Sequence, residues 1–457
     1  MSIKAIILAG GMGKRLWPIS REKWPKFMMK IGSGYSLLQQ AYKRVEGIAS
    51  DITVVSAKET GFLIEKEIKA INGDFSDENI RLEPQAKNTA SAIMRGIHKC
   101  DDEDIIIALP ADHVIEPVDD FKDVLRNAAE MAGQDHIVSI GVEPRCPATG
   151  YGYIKRSAET LGEGWKLGSF KEKPDMETAK KYIEEGGYYW NAGFFVFKAG
   201  IMKKEIEKYC SDITGLFNDL KDDDGNLEEI YEKLPGISMD YAVMENTDKA
   251  AVIAFNGSWD DLGCWEAVHK VLAEGDKPYS NGETRAISSK NSFIYTDPEK
   301  LTACIGIEDI IVIDSGDSIL VMKSGEGQKV KDIVDSLKGR PETVYHMKDC
   351  RPWGGYRVLD EGEGYKTKIL EIDPGQRLSL QKHEFRDEVW TVISGKAVIT
   401  LGDKEVDLVP GETIKIPAQT LHRAQNRGIE MLRILELACG EKISEDDIIR
   451  VEDDYKR

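Results

Sequence analysis

A short apolar segment that runs directly into closely spaced glycines is the feature that most limits how this chain can fold. Residues 4–8 have the pattern of a buried strand, and three glycines follow at once: Gly10, Gly11 and Gly13. Closely set glycines let backbone amides approach phosphate oxygens, and the positive end of a following helix adds to the attraction. The sequence therefore predicts a phosphate-binding turn at the carboxyl end of a strand.

This turn matches neither of the two best-known phosphate-binding motifs. A Rossmann fingerprint needs a third glycine where this chain has Leu16. A Walker A loop needs glycine at the position of Leu8 and serine or threonine at that of Arg15. A strand-to-helix turn that uses glycine only for its backbone angles would also fit. Arg15 and Lys26 favour the phosphate site, because a tight turn needs no cations.

The first part of the chain alternates between strand-like and helix-like segments. Residues 52–56 and 104–109 are short apolar runs, whereas 36–45 and 90–97 have helical spacing. Alternation of this kind predicts an α/β fold with a mostly parallel, doubly wound, Rossmann-like sheet. Ligands of such sheets bind beyond the carboxyl ends of the strands, which is where the glycine turn falls.

The pattern changes after about residue 280. Short β-like pieces at 287–295 and 310–322, separated by Asn, Asp and Gly, predict a small β-rich, β-helix-like segment. A short helix at 330–337 and a linker at 339–341 follow. From about residue 350, evenly spaced short strands predict an antiparallel barrel or jelly roll. We therefore predict three parts: residues 1–280, 281–340 and 345–457.

Composition limits the partners and the compartment. The chain of 457 residues carries a formal net charge of −19, which argues against a nucleic-acid partner. No apolar stretch approaches the length needed to span a membrane. Seven scattered cysteines without a CxxC pair favour reduced thiols and a cytoplasmic protein. We expect small-molecule substrates, and a homo-oligomer is possible.

Eight segments, in order, resemble the motifs of sugar-1-phosphate nucleotidyltransferases, and in detail those of the mannose-1-phosphate guanylyltransferases. They are residues 8–18 with 24–26, 83–84 with 88–90, 109–113, 149–154, 172–175, 190–193, 240–245 and 259–265. The glycine turn departs from the family at Lys14, where threonine is usual. The resemblance implies that GTP and mannose 1-phosphate react to give GDP-mannose and pyrophosphate with the help of Mg²⁺.

The resemblance also assigns roles to individual residues. It implies catalytic roles for Arg15, Lys26 and Lys173. Nucleotide binding falls to Leu8, Gly10, Gly11, Gly13, Arg15, Lys26, Glu83, Asn88 and Asp112. Binding of the sugar phosphate falls to Gly150, Tyr151, Glu172, Lys173 and Asn191. Asp112 and Asp261 are the implied ligands of the metal ion.

Chemistry gives independent reasons for several of these roles. Asp112 follows a buried strand, so its carboxylate should lie near the glycine turn, and carboxylates suit Mg²⁺. Glu83 could accept the N–H donors of guanine. Without the family motifs, the sequence would favour helix caps or turn formers at Asp112 and Asp261, and a charged turn at residues 172–174.

The C-terminal part resembles the cupin domain of type II phosphomannose isomerases. The resemblance rests on residues 351–354, 374–395, 411–426 and 452–455. Three metal-binding positions are kept: His383, Glu388 and His422. Phe385 and Val389 replace two expected histidines, and neither side chain can bind a metal. We therefore expect a degenerate site, with Phe385 filling space meant for the ion, and no efficient isomerase.

Three other interpretations stay open at this point. The chain could be bifunctional, with a cupin that also isomerises mannose 6-phosphate through an altered site in which Glu388 or Glu384 completes the metal ligands. It could be a sensor that binds GDP-mannose without making it. It could also be a related transferase that uses another sugar phosphate or nucleotide.

Overall fold

The computed structural model describes residues 2–221, 224–273, 275, 278–297 and 300–455. It divides into two compact units, Met1–Thr343 and Val344–Arg457. The first unit contains both the α/β part and the β-rich segment. The division into three parts at residues 280 and 345 stays a prediction.

Strands and helices alternate through the α/β part. The strands are β1 Ile3–Ala9, β2 Asp51–Ala57, β3 Ile80–Glu83, β4 Ile105–Pro110, β5 Val114–Glu116, β6 Ile137–Val142, β7 Tyr153–Leu161, β8 Gly164–Lys171, β9 Tyr188–Lys198, β10 Ala250–Phe255 and β11 Ser258–Asp260. The helices are α1 Leu37–Val45, α2 Gly61–Lys69, α3 Asn88–Ile97, α4 Val118–Ala132, α5 Met176–Glu185, α6 Ala199–Tyr209, α7 Ser211–Asn218, α8 Leu227–Lys233 and α9 Trp265–Leu272.

Nine of these strands form one sheet in the order β3-β2-β1-β4-β9-β6-β10-β8-β7. The strands β3, β2, β1 and β4 are parallel, as predicted. The sheet as a whole is mixed rather than mostly parallel, because β9 runs antiparallel to β4 and β6. Strands β7 and β8 are antiparallel as well, since a two-residue connection cannot join parallel strands.

The glycine turn does not lead into an α-helix, contrary to the prediction. A single 3₁₀ turn, Lys14–Leu16, follows it, and α1 begins only at Leu37. Pro18 explains the early stop, because a residue before proline is disfavoured in the α conformation, and Trp17 is extended with ψ 143°. Attraction for an anion must therefore come from backbone amides and cationic side chains and not from a helix end.

The β-rich segment is a short β-helix. Its strands are β12 Tyr279–Ser280, β13 Thr284–Ile287, β14 Phe293–Tyr295, β15 Thr302–Ile305, β16 Ile310–Asp314 and β17 Ile319–Lys323, and α10 Val330–Ser336 follows them. Thr284 pairs with Thr302 and Phe293 with Ile311 in parallel register, so the coil repeats every 18 residues. The predicted run 287–295 is interrupted at 288–292, where positive φ angles at Ser288 and Asn291 turn the chain.

The β-helix shares an apolar core with the α/β part. Trp17 and Trp265 lie in one buried cluster with Phe293 and Val330. The Arg21 guanidinium, which has no exposed surface, donates to both carboxylate oxygens of Asp317 at 2.6 and 2.5 Å. Buried apolar contacts and a two-point ion pair therefore hold the β-helix in place.

The second unit is the predicted antiparallel barrel. Its predicted linker is partly helical, since α11 spans Pro341–Val344. The strands are β18 Lys348–Arg351, β19 Gly354–Gly362, β20 Tyr365–Ile372, β21 Leu380–His383, β22 Arg386–Ser394, β23 Ala397–Leu401, β24 Lys404–Leu408, β25 Thr413–Ile416, β26 His422–Gln425, β27 Leu432–Gly440 and β28 Ile448–Glu452. They form a six-stranded and a five-stranded sheet around a core that includes Trp390 and Ile434. Throughout the described part of the chain, every helix is too short or too polar to cross a membrane.

Asp317→Ala tests how the β-helix is held. The substitution leaves the buried Arg21 guanidinium without its carboxylate partner, so we expect the free energy of unfolding to fall by about 3–5 kcal/mol. Urea unfolding followed by tryptophan fluorescence measures the change. The control is Glu228→Ala, which removes the exposed pair with Lys58 and should have little effect. Equal losses in the two variants would contradict this interpretation.

Candidate active site

Three segments of the first unit converge where the parallel strands end. Leu8 at the end of β1 pairs with Pro110 at the end of β4, so the glycine turn and Asp112 leave the sheet side by side. The short strand β11 pairs with β5, and Asp260 lies opposite Val114. This pairing brings Asp261 to the same edge. The predicted position at the carboxyl ends of the strands is therefore the observed one.

Lys26 links the three segments. Its Nζ donates to Asp112 Oδ2 at 2.7 Å and also to the backbone oxygen of Asp261. The side chain is only 7% exposed, so its charge needs these partners. Gly13 makes room for it, because an added Cβ there would lie 2.6 Å from the Cβ of Lys26. The glycine at position 13 thus serves close packing as well as its φ of 73°.

A cavity of about 360 Å³ opens above this contact. It is lined by Gly13, Lys14, Arg15, Leu16, Lys26, Asp112, Asp261, Leu262, Gly263 and Lys331. Four of these residues are cationic and two are carboxylates. The surplus of positive charge suits a ligand with several phosphate groups. Lys331 comes from α10 of the β-helix and was not predicted.

The surroundings of Asp112 keep it ionised. Burial alone would raise its pKa, but the charge of Lys26 and the hydrogen bond from its ammonium bring the pKa below its usual value. Burial lowers the pKa of His113 to about 4, so this imidazole is neutral at physiological pH. Trp259 donates to its Nδ1 at 3.2 Å, which assigns the proton to Nε2, 3.6 Å from Asp112 Oδ1. At 3.6 Å the neutral imidazole is too far from Asp112 for a hydrogen bond, and the carboxylate is oriented by Lys26.

Asp261 is oriented by two donors. Its Oδ1 accepts from the amide of Gly263 and from the hydroxyl of Tyr151, both at 3.1 Å. Burial and the Asp261 charge raise the pKa of Tyr151, so the phenol stays protonated and donates. Tyr151 also makes edge-to-face contacts with Trp190 and Trp259, with ring centroids 5.1 and 4.9 Å apart. These aromatic rings form one wall of the site.

The two carboxylates fit a hard divalent cation. Such ions bind oxygen ligands, and Mg²⁺ is commonly held by one or two carboxylates together with substrate phosphates. Asp112 is ionised, and its side chain is 28% exposed towards the cavity. Both Asp112 and Asp261 line that cavity and have oriented carboxylates. The donor set and its open side are therefore suitable for a metal that also contacts a phosphate ligand.

A second polar group includes most of the residues predicted to bind the sugar phosphate. Lys173 Nζ lies 2.7 Å from Glu172 Oε1. Asn191 donates to Asp240 Oδ1 at 2.7 Å, and burial together with the Glu172 charge raises the pKa of Asp240 to about 6. Gly152 lies against this group, since an added Cβ would be 2.5 Å from Glu172 Oε2. The group offers acceptors and donors suited to sugar hydroxyls.

Glu83, Asn88 and Gly150 are not joined to the cavity by any hydrogen bond or ion pair among the described residues. Glu83 is buried and accepts from the hydroxyl of Tyr231 at 3.1 Å. Burial raises the pKa of Glu83 to about 7. Asn88 is exposed and begins α3 with a φ of 68°, and Gly150 is exposed too. Their predicted roles stay predictions.

Several residues of the site were not assigned roles from the sequence. His113 follows Asp112 directly, Trp259 precedes Asp261 by two residues, and Asp240 opens a family motif, so their positions were available as signals. Arg44 gave no such signal, because it belongs to a helix with ordinary amphipathic spacing. It is fully buried and donates to the backbone oxygen of His113 at 2.6 Å. Only the folded structure shows this hydrogen bond between Arg44 and the segment that carries Asp112 and His113.

The barrel of the second unit contains a separate buried cluster. Ligand atoms of His383, Glu388 and His422 all lie within 4.8 Å of one another. The Nδ1 atoms of the histidines face backbone oxygens at 3.3 and 2.9 Å, and their Nε2 atoms lie 3.1 and 3.5 Å from the Glu388 carboxylate. Burial would raise the pKa of Glu388, but hydrogen bonds from the histidines hold it well below its usual value. Arg386 also contacts this cluster, at 3.1 Å from Glu388 and 3.3 Å from His383.

The predicted role of Phe385 in this cluster is wrong. Its side chain is 48% exposed and does not fill the interior of the barrel. Side chains alternate along β22, so Arg386, Glu388 and Trp390 are buried while Val389 is not. Phenylalanine and valine at these positions therefore leave the space between the two histidines and Glu388 unblocked.

Comparison with known proteins covers nearly the whole chain. Residues 4–276 match the nucleotidyl transferase family, and residues 282–337 match the MannoseP isomerase/GMP-like beta-helix domain. Residues 338–453 match the mannose-6-phosphate isomerase C-terminal family. These matches confirm the predicted fold class.

Curated relatives match from end to end. Mannose-1-phosphate guanylyltransferase 2 of Escherichia coli O157:H7 is 36% identical, over 99% of this chain and 98% of that protein. Alginate biosynthesis protein AlgA of Pseudomonas aeruginosa is 37% identical over 99% and 97%. A crystal structure from Thermus thermophilus, described as mannose-1-phosphate geranyltransferase, is 27% identical with a TM-score of 0.67, covering 74% of this chain and 100% of its own. The chain belongs to the mannose-1-phosphate guanylyltransferase family of nucleotidyl transferases.

Proposed function

We propose that this protein joins mannose 1-phosphate to GTP, forming GDP-mannose and releasing pyrophosphate. The observation that carries the proposal is the contact of Lys26 with both Asp112 and Asp261 on the floor of a cationic cavity. Full-length similarity to relatives named mannose-1-phosphate guanylyltransferase supports the same reaction. The sugar-binding group around Glu172 and Asn191 supplies the second substrate site.

The reaction needs positioning and charge neutralisation more than covalent catalysis. An oxygen of the sugar phosphate attacks the α-phosphorus of GTP, and the bond from that phosphorus to the bridging oxygen of pyrophosphate breaks. Arg15 and Lys26 contact the triphosphate, while Lys173 holds the sugar phosphate in line with the α-phosphorus. Glu172 and Asn191 bind mannose hydroxyls, and Tyr151 with its aromatic neighbours excludes water from the attacking group.

Members of the nucleotidyl transferase family generally use a divalent metal ion. We propose Mg²⁺, held by Asp112 and Asp261. When bound, the ion neutralises phosphate charge and withdraws electrons from the reacting phosphorus. Lys26 contacts both segments and orients the Asp112 carboxylate, and Tyr151 orients the carboxylate of Asp261.

The test is release of pyrophosphate from GTP and mannose 1-phosphate, screened against other nucleotides and sugar phosphates. We expect turnover to be greatest with this pair and to require a divalent ion. Asp112→Asn and Asp261→Asn should each lower turnover at least about hundredfold, because each removes a charge that holds the metal. The exposed Asp123→Asn is the control. Near-wild-type turnover in both site variants would show that these residues do not hold the metal. If the wild type released no pyrophosphate, the remaining interpretation would be a sensor that binds GDP-mannose without making it.

Glu83 gives the second prediction, because we propose that its carboxylate accepts the N–H groups of guanine. Its pKa of about 7 lies above the usual value, so the acceptor form is lost as the pH falls below 7. The KM for GTP should therefore fall by up to about tenfold between pH 6 and pH 8, in step with the ionised fraction. Glu83→Gln removes the part of this pH dependence that comes from Glu83 and retains the part that comes from titration of GTP itself. Parallel profiles for the two proteins would contradict the role.

We also propose that the barrel is not an efficient isomerase, although His383, Glu388 and His422 form a possible metal site. The Arg386 guanidinium is hydrogen-bonded to both Glu388 and His383, and this contact, rather than the bulk of Phe385, is the reason. A cation would have to displace this guanidinium or share its partners.

Conversion of mannose 6-phosphate to fructose 6-phosphate tests the barrel. With Zn²⁺, Co²⁺, Mn²⁺ or Ni²⁺ added in turn to the full-length protein, we expect no robust turnover. Metal content measured after dialysis separates weak metal binding from inactive bound metal. Robust isomerase turnover that His422→Ala abolishes would make the protein bifunctional and overturn this proposal.

We propose a cytoplasmic setting without nucleic-acid or membrane partners. The net charge of −19 disfavours polyanions, and the seven cysteines are scattered along the sequence without a CxxC pair. A homo-oligomer is compatible with both observations.

A further inference from the structure

Helix α10 belongs to the β-helix but packs beside the glycine turn of the active site. Val330 and Val334 are 3% and 4% exposed. They lie in the same apolar cluster as Leu16, the last residue of the 3₁₀ turn that follows the glycines. Buried apolar contact therefore fixes this helix against the phosphate-binding part of the site.

The turn that leads into α10 is fixed as well. The amides of Gly325 and Gly327 donate to Glu266 Oε1 at 2.9 and 2.8 Å. Gly327 packs so closely that an added Cβ would lie 2.1 Å from Glu266 Oε2. Because Glu266 belongs to α9, these hydrogen bonds attach the turn before α10 to the α/β part.

An ion pair joins α10 to the glycine turn directly. Lys14 Nζ lies 2.8 Å from Asp335 Oδ1, and this hydrogen bond lowers the pKa of Asp335. Lys14 stands where the resembling family usually has threonine, a departure that the reaction itself does not explain. The two side chains are 43% and 47% exposed, so the pair adds little to stability. Its effect is to fix where the Lys14 ammonium and α10 lie relative to each other.

Lys331 lies on the same face of α10 as Asp335, because the two residues are four positions apart. It lines the cavity together with Arg15 and Lys26. Lys26 is buried at the floor, whereas Lys331 is exposed at the mouth. A triphosphate whose α-phosphate lies near Lys26 would extend its outer phosphates towards Lys331.

We propose that Lys331 binds the β- and γ-phosphates of the nucleotide and the departing pyrophosphate, and that the Lys14–Asp335 pair positions it. The proposal rests on the function proposed above and deepens it. A lysine ammonium suits this place, since it is a compact, mobile charge that neutralises phosphate oxygens as the leaving group forms. The β-helix thus contributes a residue to the site of the α/β part.

The reverse reaction isolates this contact, because pyrophosphate is then a separate substrate. With GDP-mannose and pyrophosphate, Lys331→Met should raise the KM for pyrophosphate about tenfold, the loss of one charge-assisted contact, and leave the KM for GDP-mannose unchanged. Asp335→Asn should raise the KM for pyrophosphate by a smaller factor, because this substitution breaks the ion pair with Lys14 but retains the Lys331 ammonium. The matched control is Lys338→Met, which removes an exposed charge just beyond α10 that does not line the cavity.

A binding measurement separates this proposal from the proposed function. Pyrophosphate with Mg²⁺ should raise the Tm of the wild type and of Lys338→Met, and should raise that of Lys331→Met distinctly less. Absence of GDP-mannose turnover in the wild type would refute the function while leaving this comparison intact. Equal pyrophosphate KM values and equal Tm shifts for Lys331→Met and Lys338→Met would overturn the role of Lys331.

Discussion

The buried ammonium of Lys26 is the contact on which the active site depends. It is bonded to the carboxylate of Asp112 and to the backbone of Asp261, and those residues are far apart in the sequence. A charge removed from water needs partners at hydrogen-bonding distance, so Lys26 cannot occupy this place unless both segments are there. Gly13 completes the arrangement, because any side chain at that position would collide with Lys26.

Neutral groups lie next to the charged ones in this site. Burial keeps His113 uncharged 3.6 Å from Asp112, while the protonated Tyr151 donates a hydrogen bond to Asp261. Neutral donors can fix a carboxylate without cancelling the charge that a metal ion needs. The buried Arg44 supports His113 through its backbone oxygen and so stays one step removed from the carboxylates.

The sequence predicted where several residues of the site lie, but it did not predict the direction of β9 or the face on which Phe385 lies. The pattern of strand, glycines and cations placed Arg15, Lys26 and Asp112 at one strand edge, where the structure has them. Periodicity did not reveal that β9 is antiparallel, because the residue pattern of a strand does not indicate the direction in which it runs. Phe385 was misjudged for a related reason, since the face on which a residue lies depends on where its strand begins.

The sequence by itself determined the kinds of chemistry available: glycines that admit a close contact, carboxylates suited to a divalent ion, and lysines and arginines for phosphates. Motif order also indicated the family, and changes of pattern along the chain predicted three parts. Only the tertiary structure decided that Lys331 of the β-helix joins this cavity and that Arg386 bonds into the His–Glu cluster of the barrel. The physical reason is that such contacts depend on how separate elements pack, and packing is set by buried surfaces that no local pattern encodes.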